Sequence, residues 1–104
     1  MINFSNKGIV SISGTVIAEC DTRSRKLINF MKFFNASKYS LTVEIYDAYT
    51  TTTITTTSVA LLGGDHLIED NSFYLEPGDK ITVTCDVPGT SFSISGEEVD
   101  LKKR

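Results

Sequence analysis

The sequence predicts an antiparallel β-sandwich, and three observations support that prediction. β-Branched residues occupy 30 of the 104 positions, whereas alanine and leucine together occupy 11. β-Branched side chains lose rotamer freedom in a helix and pack well on a pleated sheet. Apolar and polar residues alternate with a period of two, most clearly over 72–96, which buries one face of each strand. Turn sequences recur about every ten residues, as expected for a sandwich of seven or eight strands.

Three strands are predicted in the first third of the chain, over 8–12, 15–20 and 25–34. In the second of these, strict alternation places Val16, Ala18 and Cys20 on the buried face.

The strand over 25–34 is apolar on both of its faces. Alternation assigns Leu27, Met31 and Phe33 to one face, and it assigns to the other face Ile28, Phe30 and Phe34. A strand that is apolar on both sides is buried on both sides. The second set is therefore predicted to contact another subunit, with a covering loop or an N-terminal arm as an equal alternative.

A threonine run follows the predicted strand over 41–45. It extends over 50–57 and is broken only by Ile54. Threonine favours strands, although low-complexity sequence is also typical of flexible linkers. The flanking alternation favours a strand, and an uncharged edge without proline invites pairing with another chain. The predicted contact residues on this edge are Thr50, Thr51, Thr52 and Thr53.

The last three strands are predicted around two tight turns, at 76–79 and 87–90. Each turn contains a Pro-Gly pair, in which proline presets φ and glycine supplies a positive φ. Ile81, Val83 and Cys85 fall on one face of the strand between the turns.

A chain of this length is predicted to form one domain over 1–104, with an N-terminal arm at 1–7 and a charged tail at 97–104. The net charge is −3, and the sequence lacks the clustered basic face that nucleic-acid binding requires. It shows no secretory signal and no apolar run long enough to span a membrane. Neither nucleic acid nor membrane is therefore an expected partner.

Cys20 and Cys85 are predicted to be free thiols, because nothing directs the chain to an oxidising compartment. Their spacing is similar to that of the inter-sheet disulfide of immunoglobulin domains, so a disulfide is the alternative. Those domains also contain a buried tryptophan, and this chain has none.

The sequence offers little for catalysis, and no catalytic, cofactor-binding or metal-binding residue is predicted. The single histidine, His66, follows Asp65 in a predicted turn, and no nucleophile motif accompanies it. Four acidic residues could gather around a calcium ion, but they do not have the spacing of an EF-hand or a calcium-binding repeat. They are Asp65, Glu69, Asp70 and Asp79. An enzyme is therefore not expected.

The segment from Asn35 to Gly96 resembles small virion proteins of tailed bacteriophages. The most specific part is LEPGDKITVT followed by DVPGTSF, which consists of turn and strand residues. The resemblance implies an immunoglobulin-like sandwich in a phage particle, and it transfers no catalytic residue.

The resulting expectation is a non-enzymatic auxiliary, or decoration, capsid protein that binds the major capsid protein or other virion proteins. It would be located in the virion and assembled in the host cytoplasm, and a homo-oligomer is left open. A head–tail connector or tail component is one alternative. A carbohydrate- or ligand-binding module is another, with stacking rings supplied by Tyr39, Tyr46, Tyr49 and Tyr74.

Overall fold

The computed structural model describes residues 2–101, and all regular structure within them is β-strand. The nine strands are β1 (Ile2–Val10), β2 (Thr15–Glu19), β3 (Ser24–Phe34), β4 (Tyr39–Asp47), β5 (Thr52–Leu61), β6 (His66–Glu69), β7 (Phe73–Leu75), β8 (Lys80–Cys85) and β9 (Thr90–Asp100). No helix that could cross a membrane occurs in this part of the chain. The predicted all-β class is confirmed, with β6 as a strand that the turn pattern did not reveal.

The strands form two antiparallel sheets. The five-stranded sheet has the order β1-β9-β3-β6, with β7 also paired to β3, and the four-stranded sheet has the order β2-β8-β4-β5. Successive pairs from the ends of the chain inward are β1 with β9, β2 with β8, β3 with β6 and β7, and β4 with β5. This nested ribbon, folded into two sheets, is the arrangement of a jelly roll. The antiparallel sandwich is therefore confirmed, whereas the strand order differs from the immunoglobulin order, in which the first two strands share a sheet.

The core lies between the two sheets and contains residues from strands of both. Its largest fully buried side chains include Phe33 of β3, Tyr39 and Leu41 of β4, and Ile81 of β8. Tyr39 satisfies its buried hydroxyl by donating its proton to the carbonyl oxygen of Asp65 (2.6 Å), with the carbonyl oxygen of Phe33 as a longer, shared acceptor (3.3 Å). These bonds attach β4 to the opposite sheet and to the turn before β6.

Both predicted Pro-Gly turns are confirmed. Gly78 and Gly89 have φ values of 88° and 87°, a region that side chains with a Cβ rarely occupy. The amide of Asp79 donates to the carbonyl of Glu76 (3.0 Å) and closes the first turn.

Two β-bulges change the faces that strict alternation predicts. In β2 the register shifts between Val16 and Ala18, so Ile17 and Ala18 are both buried and Val16 is exposed. In β3 the register shifts between Ile28 and Phe30. A bulge adds one unpaired residue and thereby reverses the parity of the strand beyond it.

The prediction for Ile28 is therefore wrong, since this residue is 1% exposed and packs in the core. It lies on the same side as Met31 and Phe33, and Leu27 takes its place on the outer face with Phe30 and Phe34.

The terminal segments are part of the five-stranded sheet. Residues 2–7, for which the sequence predicts an arm, pair with β9, and residues 97–100 of the predicted tail belong to β9 itself. Lys26 and Glu98 form an ion pair at 3.5 Å across this sheet. Residues 1 and 102–104 lie outside the described residues.

Both cysteines are buried free thiols, as predicted. Burial raises the pKa of the Cys20 thiol above its usual value, which disfavours the reactive thiolate. The sulfur of Cys85 lies 2.8 Å from the hydroxyl oxygen of Thr90.

Candidate interaction surfaces

The outer face of the five-stranded sheet is rich in apolar side chains. β3 contributes three apolar residues to it, and β1, β6 and β7 contribute one each, with polar residues such as Lys7 and Lys32 between them. We call this surface the outer apolar face, and its members are Ile9, Leu27, Phe30, Phe34, Ile68 and Tyr74. Ile9, Ile68 and Tyr74 each expose more than half of their surface.

The outer face of the four-stranded sheet has a different chemistry. Its central strands β8 and β4 present mainly hydroxyl and charged side chains opposite their buried residues, such as Thr82, Thr84 and Glu44. Antiparallel sheets normally keep one such polar face in water. The outer face of the four-stranded sheet thus has the polar character expected of a face in water, whereas the outer face of the five-stranded sheet exposes apolar side chains.

β9 forms the floor of the outer apolar face. Its outward residues Ser91, Ser93 and Ser95 are small, whereas the residues on the neighbouring strands are larger. Lys7 of β1 and Lys32 of β3 both lie opposite Ser93. An open depression of about 360 Å³ lies here, lined by Lys7, Gly8, Ile9, Lys32, Ser91, Phe92 and Ser93. The surface is thus apolar at its margins and has lysines and hydroxyl groups at its centre.

Phe30 and Phe34 both lie on this face, as the sequence predicts. Phe34 is half-buried, and its ring lies 4.5 Å from the ring of His66 between centroids. His66 starts β6 and is positioned directly opposite Phe34 by the β3–β6 pairing. Ile9, Leu27 and Ile68 are members of this face that the sequence did not predict, since recognising them requires knowledge of which strands are neighbours.

The predicted threonine edge, residues 50–53, lies partly in a turn and partly in a strand. Thr50 and Thr51 belong to the turn between β4 and β5 rather than to a strand, and Thr51 has a φ of 54°. Thr52 and Thr53 begin β5, which is an edge strand of the four-stranded sheet. This edge is therefore separate from the outer apolar face, on the other sheet.

The four tyrosines do not form a common stacking platform. Tyr39 is buried in the core, and Tyr49 is 96% exposed in the β4–β5 turn. The other two rings are each covered by a cation: Arg25 lies 4.9 Å from the centroid of Tyr74, and Lys80 lies 5.8 Å from that of Tyr46. Within residues 2–101, no group of three or more metal-ligating side chains lies close enough together to hold an ion.

Comparison with known proteins shows similarity in three dimensions only. No family model matches the chain, and no curated protein sequence matches it. A subunit of the disulfide-linked pili that form Bacillus endospore appendages superposes with a TM-score of 0.58 at 13% identity, covering 95% of this chain and 85% of that one.

Two bacteriophage capsid proteins have the same fold. That of Helicobacter pylori bacteriophage KHP30 gives a TM-score of 0.54 at 10% identity, covering 96% of this chain and 94% of that one. A pentameric capsid protein from metagenomic phage sequences gives 0.53 at 16% identity, covering 89% of this chain and 61% of that one. At such identities the likeness establishes the fold, and unrelated functions share folds.

Proposed function

We propose that this protein is a non-enzymatic structural protein of a bacteriophage virion, an auxiliary capsid protein that binds the shell through its outer apolar face. The observation that carries the proposal is the apolar chemistry of that face on a sheet that already buries its other side. Exposed aliphatic and aromatic side chains gathered on one sheet face are typical of a protein interaction site. Burial of Ile9 and Ile68, which both protrude, would remove apolar surface from water and stabilise the bound state.

The fold comparison supports the same class of function. Two phage capsid proteins and a pilus subunit are among the proteins that share this fold. All three are parts of assemblies built from many copies. A rigid sandwich suits this role, because little conformational entropy is lost when a preformed surface binds.

The proposed mechanism is passive fastening of neighbouring capsid subunits. A stable protein interface buries about 1,600 Å² in total, and the protruding aliphatic and aromatic residues of this face would supply the apolar part of such a contact. On a shell, many copies bind side by side, so avidity compensates for weak individual contacts. Lys7 and Lys32 near the centre of the face favour a partner with exposed carboxylates.

The test is to purify virus particles from cells that harbour the gene and to quantify the chain by mass spectrometry across a density gradient. A constant ratio of many copies per particle, in proportion to the major capsid protein, is the expected result. A few copies confined to the tail fraction would favour a connector or tail component and overturn the auxiliary role. Absence from the particles would overturn the virion assignment altogether.

The binding surface is tested with charged variants added to particles that lack the protein. Ile9→Glu and Ile68→Glu place a charge on the outer apolar face, and we expect each to reduce cosedimentation at least about tenfold. Val16→Glu is the matched control, because Val16 is 44% exposed on the outer face of the other sheet. Equal loss of binding by all three variants would contradict the assignment of the face.

A further inference from the structure

The outer edge of β5 lacks most of the features that keep edge strands from pairing. β5 extends over ten residues without a charged residue or a proline. The other edges are protected: β1 contains Lys7, β2 has five residues and a bulge, and β6 and β7 have four and three residues. A long, uncharged edge presents unpaired backbone N–H and C=O groups to any strand that can align with it.

The first half of β5 is also exposed on both of its faces. Residues 52–56 are all exposed, whereas Thr57, Val59 and Leu61 are half-buried. Ile54 pairs with the half-buried Ile45 of β4, yet it is 54% exposed. This part of the strand is held only by β4 within the described residues, and the opposite sheet does not cover it.

One protective feature is present, a bulge at Thr56. The register shifts there between Val43 and Glu44 of β4, and the Thr56 hydroxyl donates a hydrogen bond to the carbonyl oxygen of Val43 (3.3 Å). The bulge bends the strand beyond it and leaves residues 52–55 in regular pairing with β4. A contact on this edge is therefore restricted to the segment around Ile54.

The sequence around Ile54 is self-complementary. Residues 50–58 read TTTTITTTS, so four hydroxyl residues precede Ile54 and four follow it. In an antiparallel pair of two identical strands centred on Ile54, Ile54 lies opposite itself and Thr53 lies opposite Thr55, so both pairs fall within the regular segment before the bulge. Such an arrangement opposes no like charges, and cross-strand threonine pairs stabilise sheets.

We propose that β5 pairs with β5 of a second copy of this chain, antiparallel about a two-fold axis at Ile54, so that the four-stranded sheets of the two copies become continuous. This inference deepens the proposed function, since it names a contact through which copies of the subunit associate. The pairing is short and smaller than a standard interface. It is therefore a weak contact in solution that becomes effective when copies are held side by side.

The first test is a disulfide across the proposed axis. Directly opposed residues in an antiparallel pair have Cα atoms about 4.5–5.5 Å apart, within the range that a disulfide spans. Ile54→Cys should therefore form covalent dimers under mild oxidation at least about tenfold faster than Val16→Cys, whose position is exposed on the edge strand β2. The native cysteines do not interfere because both are buried. Equal rates for the two variants would overturn the proposal.

The second test uses opposite charges at the axis. Ile54→Lys and Ile54→Glu each place like charges opposite one another, so each variant alone should be monomeric in sedimentation equilibrium at concentrations where the wild type dimerises. An equimolar mixture should restore dimers, since the charges then attract. Self-association of either single variant at the wild-type level, or a monomeric wild type at millimolar concentration, would overturn the pairing. A wild type that is monomeric and still copurifies with virus particles would leave the proposed function in place.

Discussion

Asn35 is the position at which a single substitution should reveal how the loops at one end of the sandwich are held. Its side-chain amide donates to the hydroxyl of Thr90 (2.9 Å) and to the carbonyl of Pro88 (3.2 Å), and its side-chain oxygen accepts from the amide of Ser37 (2.8 Å). Asn35 and Thr90 are both buried. These bonds connect the loop between β3 and β4 to the loop between β8 and β9.

The cost of Asn35→Ala follows from these three bonds. Each contributes about 1 kcal/mol net, and the bonds to Pro88 and Ser37 are only partly buried, so their loss is offset in part by water. We expect the free energy of unfolding to fall by about 2–3 kcal/mol, with the melting temperature lowered by roughly 10–20 °C.

Urea unfolding followed by circular dichroism measures this change. Asn29→Ala is the control, because the Asn29 side chain accepts only an exposed bond from Ser72 (3.0 Å) and should change stability by less than about 0.5 kcal/mol. If Asn35→Ala unfolded within about 0.5 kcal/mol of the wild type, the buried network would not be what holds the two loops together.

Two further predictions concern backbone contact and pH. An added Cβ at Gly96 would overlap the carbonyl oxygen of Leu27, whereas at Gly8 it would meet only ring carbons of Phe92, the nearer at 3.2 Å. We expect Gly96→Ala to lower the free energy of unfolding by at least about 2 kcal/mol and Gly8→Ala to lower it by less than about 1 kcal/mol. Equal melting temperatures for the two variants would contradict the close approach of β9 to β3. Burial raises the pKa of the Cys20 thiol above its ordinary value of 9.0. Burial also raises the pKa of the Tyr39 hydroxyl above its ordinary value of 10.0, and the charge of Asp65 is a second cause of that shift. The folded state keeps both groups protonated to a higher pH than the unfolded state does. Their contribution to the free energy of unfolding is therefore complete below the pKa values of the unfolded state, and it is lost as the pH rises through those of the folded state. Urea midpoints should thus decline above about pH 9, and Tyr39→Phe should show a smaller decline; a flat profile to pH 11 would refute the argument.

Local patterns were sufficient for the class of fold and for the turns. Gly78 and Gly89 occupy positive-φ positions that few other residues tolerate, so their turns could be placed from sequence alone. The sequence also placed Phe30 and Phe34 on the outer face of their strand and Thr52 and Thr53 on an edge strand, whereas Thr50 and Thr51 lie in the turn before it. Each of these inferences depends on neighbours along the chain.

Only the tertiary structure decided three other features. They are the face on which Ile28 lies, the membership of Ile9 and Ile68 in the outer apolar face, and the order of the strands. A bulge forms where one strand opposes another that is distant in sequence, as β3 opposes β9 across the shift at Ile28, so alternation within one strand cannot reveal it. The composition and period of the chain determined that it forms a sandwich. Long-range pairing of the strands decided which residues face the core and which remain available to a partner.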